Sequence, residues 1–328
     1  MEDSNLKKIS RYANKPAYKK LLGEGTFGIV ELHQCKPVCT NNTCNDCYIV
    51  KHMITTSKNY FKLFNREKQE RIVKFYKEYE IGILLDHKNI RRTLDINMDS
   101  NYIIFEDCKG IDLLDYANEY KIQNTRHLVS YFYQILDAVN YLHNIGIAHL
   151  DLKLENIVVN PDTNVVKLID FGEACFFKDQ KNNKHLFSDL RGTVQYLPPE
   201  CVDFMGFHGD KTDVWCCCII LYNLFYNVHP WEVAKLTNTK YKIHYSNIRR
   251  GRLNEDIFPK KSEYTETEWE VVKYLFKTML NPDPDKRISI NKAKDVFGLL
   301  EIFDNLNDNQ NTKIHGDREK GLSKTHTI

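Results

Sequence analysis

Asp151, Lys153 and Asn156 lie close together in Ala148-His149-Leu150-Asp151-Leu152-Lys153-Leu154-Glu155-Asn156, and Asp170-Phe171-Gly172 begins 14 residues after that asparagine. Taken singly, an Asp-x-Lys triplet is commonly surface charge and Asp-Phe-Gly a turn. Upstream, Leu22-Gly23-Glu24-Gly25-Thr26-Phe27-Gly28-Ile29-Val30 sets three glycines between apolar stretches. Without side chains in the way, backbone amides there can approach phosphate oxygens. The stretch lacks the Gly-Lys-Ser/Thr ending of a P-loop. One hairpin further on, Tyr48-Ile49-Val50-Lys51 closes an apolar strand with a lysine whose ammonium can pair with phosphates. Each piece alone also reads as a plain hairpin, a turn or surface charge. Their co-occurrence in this order points to phosphate chemistry.

These residues need a frame. From Tyr18 to His52 the pattern alternates as strands do, and from about Asn65 to Asp86 apolar residues at Ile72, Phe75, Tyr79 and Leu84 follow helical spacing. A strand at Tyr102–Glu106 and a connection around Gly110 precede the helical pattern of Leu128, Phe132, Ile135, Val139 and Leu142. The expected class is α+β, with a small β-rich half followed by a larger helical one. No repeat at solenoid or propeller period is present.

Composition excludes several classes. The 328 residues are 42% hydrophobic and 27% charged, and 46 Lys+Arg against 44 Asp+Glu leave a net charge of +2. That balance fits neither wholesale disorder nor a nucleic-acid-coating protein, so no nucleic-acid partner is expected. MEDSNLKKIS has no apolar leader core, and the longest apolar run, Val214 to Tyr222, is far short of the ~20 residues of a membrane span. An intracellular chain, cytoplasmic or nuclear, is expected. Its ten cysteines, three of them adjacent at Cys216, Cys217 and Cys218, then read as reduced thiols or metal ligands, the triplet as part of a buried helix. From Asp304 to Ile328 the only apolar side chains are Leu306, Ile314, Leu322 and Ile328, too few to order the segment.

At the glycine-rich stretch, Lys51, the Asp151 segment and Asp170-Phe171-Gly172, the sequence resembles the eukaryotic-type protein kinases. Further landmarks fall in family order: Gly192-Thr193, Pro198-Pro199-Glu200, Asp213-Val214-Trp215 and Arg287. The resemblance implies a bilobal protein kinase fold over residues 18–300, with an N-lobe at 18–107 and a C-lobe at 108–300. It leaves an N-terminal extension at 1–17 and a disordered tail at 301–328.

It also implies roles. Lys51 would hold the α and β phosphates of ATP and pair with Glu78, nine residues before His87-Lys88-Asn89-Ile90, with Glu80 as the rival partner. Asp170 and Asn156 would bind Mg²⁺, Asp151 would accept the proton of the attacking hydroxyl and Lys153 would neutralise the moving phosphoryl group. Leu22, Gly23, Gly25 and Gly28 would cover the nucleotide, and Val30, Ile49 and Val158 would line the adenine slot. Phe105 would stand at its back, Glu106 to Cys108 would read the base edge and Asp112 would lie near the ribose. Lys153 and Thr193 imply serine/threonine substrates, and Asp112 with Glu155 a preference for basic residues upstream of the target.

Departures from the family pattern carry their own expectations. Ile49 replaces the usual alanine, and Gly82 stands where a large apolar residue usually packs, implying looser positioning of the long helix. Leu150 replaces the arginine that receives an activation-segment phosphate, while Asp189 stands four residues before Thr193, where many members carry the phosphothreonine. Activity without activation-segment phosphorylation follows, with Ser188 and Arg191 as the alternative phosphate site and receiver. Cys35, Cys39, Cys44 and Cys47 are a candidate structural Zn²⁺ set, although a reduced polar loop explains them too. A weaker resemblance, through Glu78 to Asp95 and His229-Pro230-Trp231, points toward fungal nutrient-transport and checkpoint-like kinases. Two rivals stay open, a pseudokinase scaffold and a small-molecule kinase.

Overall fold

Strand-forming residues alternate between two faces of a five-stranded antiparallel sheet, in the order β1-β2-β3-β5-β4. The strands are β1 (Ala17–Gly25), β2 (Gly28–Gln34), β3 (Cys47–His52), β4 (Thr93–Asn97) and β5 (Tyr102–Glu106). A computed structural model describes residues 17–25, 28–34, 47–53, 65–120, 125–179 and 181–300. Residues 1–16 of the expected extension, the expected tail at 301–328 and three of the four early cysteines (Cys35, Cys39, Cys44) lie outside the described residues, while Ala17 already opens β1. Lys51 pairs with Val30 on one side and Ile103 on the other, so its register is fixed in mid-sheet. On the same pleat as Lys51, Ile49, Ile103 and Phe105 pack with Phe75 of helix α1 (Asn65–Gly82). On the opposite pleat Tyr48, Val50 and Ile104 form a separate cluster.

Helix α1 buries Phe75, Glu78, Ile81 and Gly82, a stripe at steps of three and four that turns one face to the sheet. Beyond β5 come β6 (Ile111–Asp112), α2 (Leu113–Tyr120), α3 (Thr125–Asn144), β7 (Ile147–Ala148), β8 (Ile157–Asn160), β9 (Val165–Leu168) and β10 (Cys175–Phe176). They make two small sheets, β6-β8-β9 and β10-β7. Helices α4 (Pro199–Val202), α5 (Gly209–Tyr226), α6 (Thr239–Arg249) and α7 (Glu266–Met279) complete the larger half, followed by helical residues 290–300. Helix α5 is apolar almost all round, and from Thr212 to Phe225 every residue is buried, Cys216, Cys217 and Cys218 included. A helix of that kind belongs at the centre of a core. The expected bilobal protein kinase fold is what the chain adopts, a β-sheet half with one long helix and a helical half.

The expectation attached to Gly82 is corrected. A Cβ at Gly82 would lie 2.1 Å from Thr93 Oγ1, so the helix end seats directly on β4 where a bulky side chain would otherwise intervene. Contact replaces filling, and the helix is not loosened at this point. Gly82→Ala should therefore cost about 1–3 kcal/mol by overpacking, despite alanine's better helix propensity. Most of that loss should return in the Gly82→Ala/Thr93→Ala double variant. Urea unfolding of the four proteins of this cycle measures it, and additive effects would contradict the contact.

Candidate active site

Lys51 and Glu78 are only 7% and 2% exposed, and burying either charge alone would be costly. They pair: Lys51 Nζ donates to Glu78 Oε2 at 2.6 Å and lies 3.5 Å from Asp170 Oδ1. Burial pulls the Lys51 pKa down, but Glu78 and Asp170 outweigh it and hold the ammonium charged above its usual range. For Asp170, burial pushes up, while Lys51, Arg91 and the Gly172 N–H outweigh it and hold the carboxyl at about 2. Its carboxylate is ionised at neutral pH, as a cation ligand must be. Glu80, the rival to Glu78, is exposed.

The other oxygen of Glu78 has a second cation nearby. Arg91 Nη2 lies 3.7 Å from Oε1, and the Arg91 guanidinium sits 4.0 Å over the Phe105 ring. The Arg91 side chain is 11% exposed, against 60% for Arg92. Two cations thus flank one buried carboxylate.

Asp151 is the hub of a second cluster. Its Oδ2 accepts from Lys153 Nζ at 2.8 Å and from Asn156 Nδ2 at 3.0 Å, and its Oδ1 accepts from Thr193 Oγ1 at 2.9 Å. Lys153 Nζ also donates to Thr193 Oγ1 at 3.0 Å. The loop carrying Asp151 is held from beneath by Asp213 of α5, which is fully buried. Its carboxylate accepts from the backbone N–H groups of His149 at 2.8 Å and Leu150 at 2.9 Å, with His143 Nε2 at 2.9 Å. Leu150 sits at positive φ, 64°, so these bonds hold a strained backbone in place; Asp170, at φ 62°, shares the left-handed region. The His149 and Phe171 rings, 5.0 Å apart, join the loop to Asp170-Phe171-Gly172.

In the smaller half, Ile49 pairs in register with Phe105, and Val30 packs on the same cluster. Val158 on β8 is half-buried, and Leu22 is 48% exposed on β1 near Gly23, with Gly25 paired to Gly28 at the end of the hairpin. The Glu106 carboxylate accepts from Lys167 at 2.6 Å and Arg92 at 3.1 Å, leaving its backbone as the connection between the halves. Burial pushes the Cys108 thiol up to about 11, so it stays protonated. Asp112 accepts from the Asp115 N–H at 2.9 Å at the start of α2. Of the zinc candidates only Cys47 lies among the described residues, where it is half-buried.

Away from the reacting groups, Glu200 and Arg287 form a buried two-pronged pair at 2.7 and 3.1 Å, with Arg287 also over Trp215. Sequence reading placed Asp213, Thr193 and Arg287 as landmarks without their partners; it missed Arg91 altogether. Arg91→Ala should lower unfolding stability by about 1–3 kcal/mol, since it leaves a buried carboxylate oxygen without its counter-charge and removes a cation–π contact. Arg91→Lys should recover only part, lacking the planar group that stacks on Phe105. Chemical denaturation checks this, and an unaltered Arg91→Ala protein would contradict it.

Comparison with known proteins agrees with this geometry. The family described as Protein kinase domain matches residues 17–296. Serine/threonine-protein kinase CHK1 of Saccharomyces cerevisiae is 34% identical over 63% of this chain and 38% of its own length. Nitrogen permease reactivator protein of the same yeast is 34% identical over 68% of this chain and 27% of its own. Serine/threonine-protein kinase SIK1 of Mus musculus is 28% identical over 83% of this chain and 31% of its own. The matched region therefore spans between 27% and 38% of the length of these relatives. With the family matched along most of this sequence, from residue 17 to 296, the chain belongs to the eukaryotic-type protein kinases of the serine/threonine group.

Proposed function

We propose that the chain transfers the γ-phosphoryl group of ATP to serine or threonine hydroxyls of protein substrates. The observation that carries this reading is Asp151, held by Lys153, Thr193 and Asn156. The substrate oxygen forms a bond to the γ phosphorus, the bond from that phosphorus to the β–γ bridging oxygen breaks, ADP leaves, and Asp151 accepts the hydroxyl proton. Lys153, beside Asp151, counters the charge of the moving group. Ionised Asp170 and the amide oxygen of Asn156, whose nitrogen is engaged by Asp151, form a hard donor set fitting Mg²⁺. That ion, when bound, supplies charge neutralisation at the phosphates. Lys51 positions the phosphates, and the apolar slot of Val30, Ile49 and Val158 suits a flat heteroaromatic base.

A finer reading concerns activation. Leu150 is 1% exposed and packs with Ala148, Cys175, Phe177, Leu197, Cys201, Val202 and Phe207. Where an arginine would hold a phosphate, an apolar cluster ties the catalytic loop to the activation segment. Gly192, at φ 83°, lets the segment approach so closely that a Cβ would lie 2.4 Å from Leu150 O. Arg191, the alternative phosphate receiver, already bonds Asp189 Oδ2 at 2.6 Å, and Ser188 is exposed. These contacts support a segment ordered without phosphate.

Asp112 and Glu155 also support a preference for arginine or lysine upstream of the target, because carboxylates favour a guanidinium. Glu155 is exposed and accepts from Tyr196 Oη at 3.4 Å.

Asp151→Asn and Asp170→Asn should each lower turnover by orders of magnitude while leaving the thermal unfolding transition in place. Near-wild-type labelling by both would refute the assignment, whereas no labelling by the unaltered chain would favour a scaffold. Ser188→Ala should keep most activity; a loss of about tenfold or more, restored by an upstream kinase, would mean that a phospho-switch operates. In an oriented peptide library, basic residues upstream should be enriched, and a preference for acidic upstream residues or for proline after the target would contradict the acidic-patch reading.

A further inference from the structure

On the face of the sheet opposite Lys51, three potential metal ligands converge. Glu31 and His33 are two residues apart on β2 and so share a face, and His52 of β3 is in register with Ile29, two residues before Glu31. His33 Nε2 lies 2.8 Å from Glu31 Oε2, and His52 Nε2 lies 3.2 Å from the same oxygen. The ligand atoms of all three lie within 4.8 Å of one another. Tetrahedral zinc, with bonds of ~2.0–2.2 Å, separates its ligand atoms by roughly 3.3–3.6 Å, so these side chains need only small movements to close on one ion.

We infer that Glu31, His33 and His52 form a binding site for a divalent transition-metal cation, zinc above all. Two imidazoles and a carboxylate are a donor set that zinc accepts, and it leaves a position for water. The rings are already oriented, with His33 stacked on Tyr48 at 6.0 Å and His52 beside Tyr102 at 5.5 Å between centroids. Both imidazoles aim the same nitrogen at one carboxylate oxygen. Without metal, that oxygen accepts their N–H groups; metal binding displaces these protons. An entry path exists, because the His52 and Glu31 side chains are 36% and 23% exposed. The site uses no thiol and lies on the other side of the sheet from the groups that face Mg²⁺-ATP. A bound ion would cross-link β2 to β3, the strands that follow the glycine-rich turn and carry Lys51.

The test uses the full chain, stripped with chelator, beside a Cys35→Ser/Cys39→Ser/Cys44→Ser variant that leaves Cys47 alone of the competing four-cysteine set. Titration calorimetry of that variant with Zn²⁺ should give one bound equivalent and a raised melting temperature. Its Co²⁺ form should show d–d absorption without a thiolate charge-transfer band. Adding His52→Ala or Glu31→Gln, changes at partly exposed positions, should weaken zinc by at least about tenfold, the scale lost even when a ligand's supporting partner is removed. Circular dichroism verifies folding of each protein. The inference is overturned if the triple-serine chain takes up no zinc, or if its uptake survives both added substitutions.

Discussion

A lysine and a glutamate buried in the smaller half can stay charged only if each faces the other. Lys51 comes from β3 and Glu78 from α1, 27 residues apart, so their 2.6 Å contact dictates how the helix docks on the sheet. The stripe of Phe75, Glu78, Ile81 and Gly82 supplies the fit, and Arg91 adds a cation at the second carboxylate oxygen. Asp170, 119 residues beyond Lys51, brings the larger half to the same ammonium. The cleft is in this sense the place where unlike charges from three elements must meet, because none can be desolvated alone.

The larger half solves a different problem. Asp151 is useful only if its loop keeps a backbone that leucine does not favour, with Leu150 at φ 64°. Asp213 holds that loop through two backbone N–H groups from within an apolar helix, and the Glu200–Arg287 pair braces the segment that follows Thr193. Leu150 turns its side chain into an apolar cluster shared with the activation segment. Hydrophobic contact is insensitive to phosphatases and little affected by salt, whereas an arginine–phosphate clamp depends on both. In the proposed reading, this is the physical difference between an anchor that is always present and one that is switched.

The charged residues were nameable from the sequence because the resemblance to protein kinases restricts them by type and order: in the structure Lys51, Glu78 and Asp170 form one cluster, and Asp151 and Asn156 belong to another. The strand at Tyr102–Glu106 was legible to the residue, and the cysteine triplet as core. Arg91 was not, since in Ile90-Arg91-Arg92 nothing local says which arginine goes inside; only the packing of Phe105 and Glu78 decides it. Gly82 read as a missing side chain because its partner, Thr93, belongs to another element. The alternation of Glu31 and His33 was visible in one strand, but their meeting with His52 depends on a cross-strand register that a linear reading does not supply.

The most direct test of the central claim, a site assembled and competent without phosphate, is a time course of label transfer from γ-labelled ATP with Mg²⁺ to an array of peptides. The full chain would be used after phosphatase treatment, with intact mass verifying that no phosphate remains. The account predicts transfer from the first time points, without a lag, to serine and threonine peptides and not to tyrosine ones. ATP binding with no transfer, or transfer that begins only after the chain has phosphorylated itself, would contradict it.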